Sequence, residues 1–178
     1  MVNDARRNIG NGMFDYGVAD CMNLPFDDNS FDCVIANHVI FYCEEPGKAF
    51  KEIKRVLKPG GKAVFSTYGS HHMQEIAQLV NQFDKRIVLS ADVLYEKFGL
   101  DNGERLLKKY FNKVDKRLYD DYLLVDVAEP IIEYILSCHG NQNHYLLDRY
   151  SDFKAFIMKK TRKRNAKCVF WHLRGEKY

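Results

Sequence analysis

The tightest constraint in this chain is one helix-forming segment set between two short apolar runs. Pro46 opens the segment, because its fixed φ and missing N–H suit a helix's first turn. Ala49, Phe50, Ile53, Val56 and Leu57 recur at steps of one, three and four and share a face, while Lys51, Glu52, Lys54 and Arg55 cover the other. Lys58-Pro59-Gly60-Gly61 stops it abruptly. The flanking runs, Phe31 to Ala36 and Lys62 to Tyr68, are of the kind expected for strands covered on both faces.

The rest of the chain extends this unit. Residues 2 to 9 read as a short helix ended by Gly10-Asn11-Gly12, and Phe14 to Ala19 as a strand closed by Asp20. Leu24 to Ser30 is dense in turn residues. His72 to Phe83 reads as an amphipathic helix with Met73, Ile76, Leu79, Val80 and Phe83 inward. Strand, turn, strand, helix, strand, helix implies an α/β fold with a mainly parallel, doubly wound sheet and helices on both faces. Residues 90–111 read as irregular helix interrupted at Gly99 and Gly103, a candidate lid or substrate-side insertion. Lys113 to Tyr119, Tyr122 to Val127 and Cys168 to Leu173 read as strands, and Glu129 to Cys138 and Leu146 to Thr161 as helices. With no repeat or linker, residues 1–178 read as a single domain.

Bulk properties narrow the class. The chain has 178 residues, enough for a proper core, and its 46% hydrophobic and 29% charged content excludes a disordered or membrane-spanning class. The N-terminus carries no apolar stretch of the signal-peptide kind. Cys21, Cys33, Cys43, Cys138 and Cys168 are odd in number and form no C-x-x-C pair, so a reducing, cytoplasmic setting is the simplest inference. A net charge of +3 does not call for nucleic acid. The basic run Lys159 to Lys167 reads as a solvated helix end, with RNA contact as its alternative. Glu44-Glu45 and Asp120-Asp121 lack spaced partners for a metal and read as solvated charges.

Specific residues then carry a resemblance. Asp20-Cys21-Met22-Asn23-Leu24-Pro25-Phe26-Asp27-Asp28-Asn29-Ser30-Phe31-Asp32 resembles the "D-A-x-x-L-P-F-x-D-x-S-F-D" signature of small-molecule class I S-adenosylmethionine-dependent methyltransferases of the type 11 group. It continues into Val34 to Tyr42, which looks like that family's fourth strand and following loop. Lys51 to Gly61 is similar to the family's "E-I-x-R-V-L-K-P-G-G" helix end. Met1 to Ile9 resembles the helix after the family's second strand. The resemblance implies a Rossmann-like fold lacking the first two strands of the family, with the whole chain a partial methyltransferase domain.

It also implies a site, since ligands of open parallel sheets bind beyond the carboxyl ends of the strands. By resemblance, Asp20, Cys21 and Met22 would hold the adenine of S-adenosylmethionine, Asp20 accepting from its amine and the Cys21 N–H donating to a ring nitrogen. The alternative for Asp20 is that it caps the turn that follows. Asn37, His38 and Val39 would touch the methionine part, and Phe41 and Tyr42 would wall the methyl-transfer cavity. Relatives often carry histidine where Tyr42 stands. Tyr68, His71 and His72 follow the next strand and are the candidates for acceptor contact or proton removal; their alternative is packing and an exposed helix start.

The family's "D-x-G-x-G-x-G" loop and the acidic residue that bonds the ribose are absent from this sequence. Gly10-Asn11-Gly12 lacks the strand-to-helix context such a loop needs. The missing unit would supply at least two charge-assisted hydrogen bonds, so its loss costs about 3–6 kcal/mol, or roughly two to four decades in affinity. It would also leave the strand at 31–36 with an open edge, an invitation to a homo-oligomer. Three readings follow: methyl transfer to a small-molecule acceptor, a non-catalytic methyltransferase-like interaction or regulatory protein, and RNA methylation resting on the basic run. Met1 falls where the family's helix has an internal methionine, which implies a longer parent chain. The alternatives are a mis-set gene start and a true truncation: the coding sequence upstream continuing in frame through a strand and "G-x-G-x-G" would support the enzyme reading, and a native start at Met1 would refute the mis-set start.

Overall fold

The computed structural model describes residues 2–9, 12–90, 93–121, 125, 127–162 and 173–177. In chain order the elements are α1 (Val2–Ile9), β1 (Phe31–Asn37), a 3-10 turn (Ile40–Tyr42), α2 (Pro46–Val56), β2 (Leu57–Thr67) and α3 (Gln74–Phe83). There follow α4 (Leu94–Lys97), α5 (Gly103–Leu107), β3 (Arg117–Asp121), α6 (Ala128–Ser137), α7 (Gln142–Leu146), α8 (Tyr150–Arg162) and β4 (Leu173–Lys177). The sheet order is β1-β2-β4-β3.

The unit β1–α2–β2 is a right-order crossover with its two strands parallel. Pro46 sits in the first turn of α2, and Ala49, Phe50, Ile53 and Val56 are buried, as the spacing requires. The turn before β1 is clamped onto this helix. The Arg55 guanidinium donates to Phe26 O (2.8 Å), Leu24 O (3.0 Å), Asp28 Oδ1 (2.7 Å) and both carboxylate oxygens of Glu52 (2.8 and 2.9 Å). Glu52 Oε2 in turn accepts the Leu24 N–H at 2.9 Å. The backbone N–H groups of Asn29 and Ser30 donate to Arg55 O (3.0 Å) and Val56 O (2.8 Å), satisfying carbonyls at the helix end.

Strand pairing absorbs one irregularity. Phe31 pairs with Leu57 and Cys33 with Lys62, so Lys58-Pro59-Gly60-Gly61 loops out of the ladder, with Gly60 at φ 81°. From there the register runs evenly to Asn37 opposite Ser66.

Two apolar cores form. In one, Phe50 is ringed by Phe65, Phe98 and Tyr110 at 5.6, 5.5 and 5.4 Å between centroids, with Ile40, Phe41 and Leu107 buried alongside. In the other, α3, α6, α7 and α8 bury Ile76, Val80, Ile131, Ile135, Leu146, Phe153 and Ile157.

Several expectations need correction. Phe14 to Ala19 is not a strand; Asp20 makes only an isolated bridge to Asn23. A strand's backbone groups need a neighbouring ladder, and among the described residues none pairs with this segment. The sheet is mixed rather than mainly parallel: β4 runs antiparallel to both β2 and β3. Helices do not cover both faces of β1, because Cys33 is exposed and Ile35 is 70% exposed. The segment that should precede it, α1, buries no residue. The strand expected at Lys113 to Tyr119 lies at Arg117–Asp121. The helix expected at Leu146 to Thr161 is α8, which starts later, at Tyr150, while Leu146 ends the short α7. Of the strand expected at Tyr122 to Val127, residues 122–124 and 126 lie outside the described residues and Val125 and Val127 are not in strand. Cys168 to His172 also lie outside them, and the last strand is Leu173–Lys177.

Phe50→Ala should destabilise the chain by about 3–5 kcal/mol in urea unfolding, the cost of emptying a fully packed aromatic site. A loss below about 1 kcal/mol would mean that the first core is not packed as described.

Candidate functional site

The carboxyl ends of β1 and β2 lie side by side, with Asn37 opposite Ser66. The Ser66 hydroxyl donates to Asn37 Oδ1, and the His38 N–H is shared between Ser66 O (3.2 Å) and Ser66 Oγ (3.1 Å). His38 is left-handed, φ 51°, a backbone state costing a non-glycine residue about 1–2 kcal/mol. The twist turns the chain out of β1 and into the 3-10 turn that buries Ile40 and Phe41.

Aromatic rings gather behind this turn. The Tyr68 ring lies 5.1 Å from Phe41, 6.4 Å from His38 in a stacked arrangement, and 4.9 Å from His72. Tyr95 of α4 closes on Tyr68 from the far side at 6.3 Å. The segment carrying Tyr95 is tied to the end of β2: Thr67, fully buried, donates its hydroxyl to Phe98 O at 2.7 Å, and the Leu100 N–H donates to Tyr68 O at 3.2 Å.

The Asp20 turn reaches the same rim. Cys21 Sγ is 2.8 Å from Cys43 Sγ, just after the 3-10 turn. Cys21 and Met22 pack on the core containing Ile40 and Phe41. Asp20 is exposed, and its Oδ1 accepts the Met22 N–H at 2.8 Å. That is the turn-capping geometry, and it leaves the second carboxylate oxygen for another donor.

The candidate residues are therefore not all alike. Asp20, Cys21, Met22, Asn37, His38, Phe41, Tyr68 and His72 converge. Val39 is 39% exposed at the start of the 3-10 turn. Tyr42 is 67% exposed, its ring 4.7 Å from Phe41. His71 is exposed, its Nδ1 2.9 Å from Gln74 Oε1. Beyond Tyr68 opens a cleft of about 460 Å³ lined by Gly69, His71, His72, Glu75, Asp101 and Lys116. Glu75 Oε2 is buried there with no hydrogen-bond partner among the described residues.

Two contributors were not read from the sequence. Tyr95 sits in a segment without a motif, and only its long-range packing reveals it. Tyr134 of α6 has its phenol pushed up to about 12, chiefly by burial, then by Cys138, with Tyr68 also contributing. No local pattern marks either residue.

Electrostatics favour neutral imidazoles at this rim. Burial holds His38 below the ordinary value of 6.5, and burial, followed by the charge of His38, does the same for His72. A neutral imidazole can accept a proton. Among the described residues no group of three His, Cys, Asp or Glu stands close enough to hold a metal. No helix there is long and apolar enough to cross a membrane.

Residues 1–65 match a family described as "Methyltransferase domain". Over this stretch the chain is similar to that family. The chain is 44% identical over 91 residues to a malonyl-[acyl-carrier protein] O-methyltransferase of Marinomonas sp. (strain MWYL1), covering 51% of this chain and 27% of that protein. It is 36% identical over 86 residues to the ubiquinone/menaquinone biosynthesis C-methyltransferase UbiE of Haemophilus ducreyi, covering 48% and 33%. The chain thus spans about a third of the length of the curated relatives it matches. Among solved structures, the MccD protein aligns with a TM-score of 0.51 at 15% identity, covering 98% of this chain and 70% of that one. A putative methyltransferase from an antibiotic biosynthesis pathway of Anabaena variabilis aligns with 0.51 at 14%, covering 90% and 71%. At those identities the likeness concerns the fold alone.

The lowered histidine values set a pH dependence. Each imidazole is less easily protonated folded than unfolded, so stability is fully present above about pH 6.5 and declines as pH falls through that value. Urea unfolding at about pH 7.5 and 5.5 should show this decline in the native chain and a shallower one in the His38→Gln, His72→Gln double variant. An equal decline in both would remove the assignment.

Proposed function

We propose that this chain is part of an enzyme that transfers a methyl group from S-adenosylmethionine to a small-molecule acceptor. One observation carries the reading: the Asp20–Met22 turn and the Asn37–Tyr42 stretch share a rim at the carboxyl ends of two parallel strands, where ligands of such sheets bind.

The residues present fit one side of the cofactor. Asp20 has an exposed carboxylate with one oxygen uncommitted, suited to an exocyclic amine, and the backbone N–H of Cys21 would donate to a ring nitrogen. Asn37 and His38 are oriented by Ser66 at the methionine end. The ribose side, assigned in the family to an acidic residue, has no counterpart in this sequence. The cofactor would supply a methyl group already activated on a sulfonium, so positioning and exclusion of water do most of the work. Phe41, Tyr68 and Tyr95 form an apolar wall able to exclude that water. Where the acceptor must lose a proton, His72 is the base at the mouth of the cleft, with Tyr68 beside it and His71 at the outer lip. Residues 90–111 would cover the acceptor side through Tyr95.

A second reading is a methyltransferase-like interaction or regulatory protein without catalysis. A further proposal concerns self-association. Among the described residues β1 is one of the sheet's two edge strands, and Ile35 is exposed on it, so two copies would pair these edges about a twofold axis. Light scattering at rising concentration should read a dimer that Ile35→Lys disperses; a monomer throughout would end this proposal.

Calorimetry separates the two functional readings. Titration with S-adenosylmethionine should give saturable binding, weakened by about tenfold or more in Asp20→Ala, the loss of one charge-assisted bond. No heat at millimolar cofactor would leave the non-catalytic reading in place.

A further inference from the structure

We infer that Cys21 and Cys43 form a redox-active dithiol that closes to an intramolecular disulfide. Their sulfurs lie 2.8 Å apart although the residues are 22 positions apart in sequence, a contact that closes by a small movement of the Asp20 turn. Each thiol is carried by a segment anchored elsewhere. Cys21 lies within the turn closed by the bridge of Asp20 to Asn23, and Leu24 beyond it is held by Glu52 and Arg55. Cys43 ends the 3-10 turn, its N–H bonded to Ile40 O at 3.0 Å.

The two sulfurs divide the chemistry. Cys21 is half-buried and reachable from solvent, whereas Cys43 is 5% exposed. Burial pushes the Cys43 thiol up to about 12, with Cys21 and then Asp20 adding to the effect. Cys43 thus stays protonated, and Cys21, the more accessible of the two sulfurs, is the one that an external disulfide reaches first. The other described cysteines have no such partner in reach: Cys33 is exposed on the uncovered sheet face, and Cys138 donates to Tyr134 O at 3.4 Å.

The oxidant is a low-molecular-weight disulfide such as oxidised glutathione. Cys21 loses its proton to solvent and its sulfur attacks one sulfur of that disulfide, releasing one glutathione thiolate. Cys43 then gives up its proton, attacks the Cys21 sulfur of the mixed disulfide and releases the second glutathione. Two protein thiols are oxidised and one glutathione disulfide is reduced to two thiols. The closed bridge would tie the Asp20 turn to the end of the 3-10 turn, and thiol reductants would reopen it. The inference stands on the sulfur geometry and does not depend on methyl transfer.

The test uses the full chain with Cys33, Cys138 and Cys168 replaced by serine, treated with oxidised glutathione. Titratable thiols should fall from two to none in a monomer, with a mass loss of two hydrogens, no retained glutathione and full recovery in dithiothreitol. Folding of this variant is checked by circular dichroism. Independently, the Cys33→Ser chain is oxidised and cleaved before its aspartates. The Asp20–Phe26 peptide should be joined to the Asp32–Phe83 peptide, which then holds Cys43 as its one cysteine. Thiols that persist, a glutathione adduct left on Cys21, or a bond between two chains would each overturn the dithiol.

Discussion

The Arg55 fork is the contact on which the candidate site depends. The turn from Leu24 to Asp28 has no sheet or helix of its own, and its carbonyls must find donors. Arg55 supplies them from the last turn of α2 and is itself aligned by Glu52, which also receives the Leu24 N–H. A lysine would offer one point charge in place of this planar array. Because the clamp fixes the turn, the Asp20–Asn23 segment before it reaches the 3-10 turn and β1 enters the sheet directly after it. The two halves of the motif seen in the sequence, the acidic turn and the helix end, are thus two sides of one hydrogen-bonded joint.

Local pattern made some of the fold legible. The face of Ala49, Phe50, Ile53 and Val56 announced α2, and the apolar runs announced β1 and β2, although β1 keeps Cys33 and Ile35 exposed. Phe14 to Ala19 carries a similar composition and is not a strand, because pairing is a property of neighbours rather than of the segment. The antiparallel entry of β4 was equally invisible: nothing in its five residues states which edge it will join or in which direction.

The site divides along the same line. Asn37, His38 and Tyr68 are candidates in the sequence through the resemblance and their place next to strand ends, where ligands of such sheets bind. Tyr95 and Tyr134 are not, since each arrives at the rim from an element far along the chain. Cys21 and Cys43 form no spaced pair in the sequence; only the fold brings their sulfurs together. His38 shows a third kind of hidden information, because its left-handed backbone follows from the need to hand the chain from β1 to the 3-10 turn.

The four residues looped out between Leu57 and Lys62 act as slack in the ladder. Length changes at Lys58 to Gly61 are taken up at the amino end of β2, far from the rim, without disturbing the pairs from Val34–Ala63 to Asn37–Ser66. One residue added between Ala63 and Ser66 has nowhere to go, and the strand's alternation would swing Phe65 from the interior to the outside. Drift in chain length is therefore tolerable at one end of this strand and forbidden at the other.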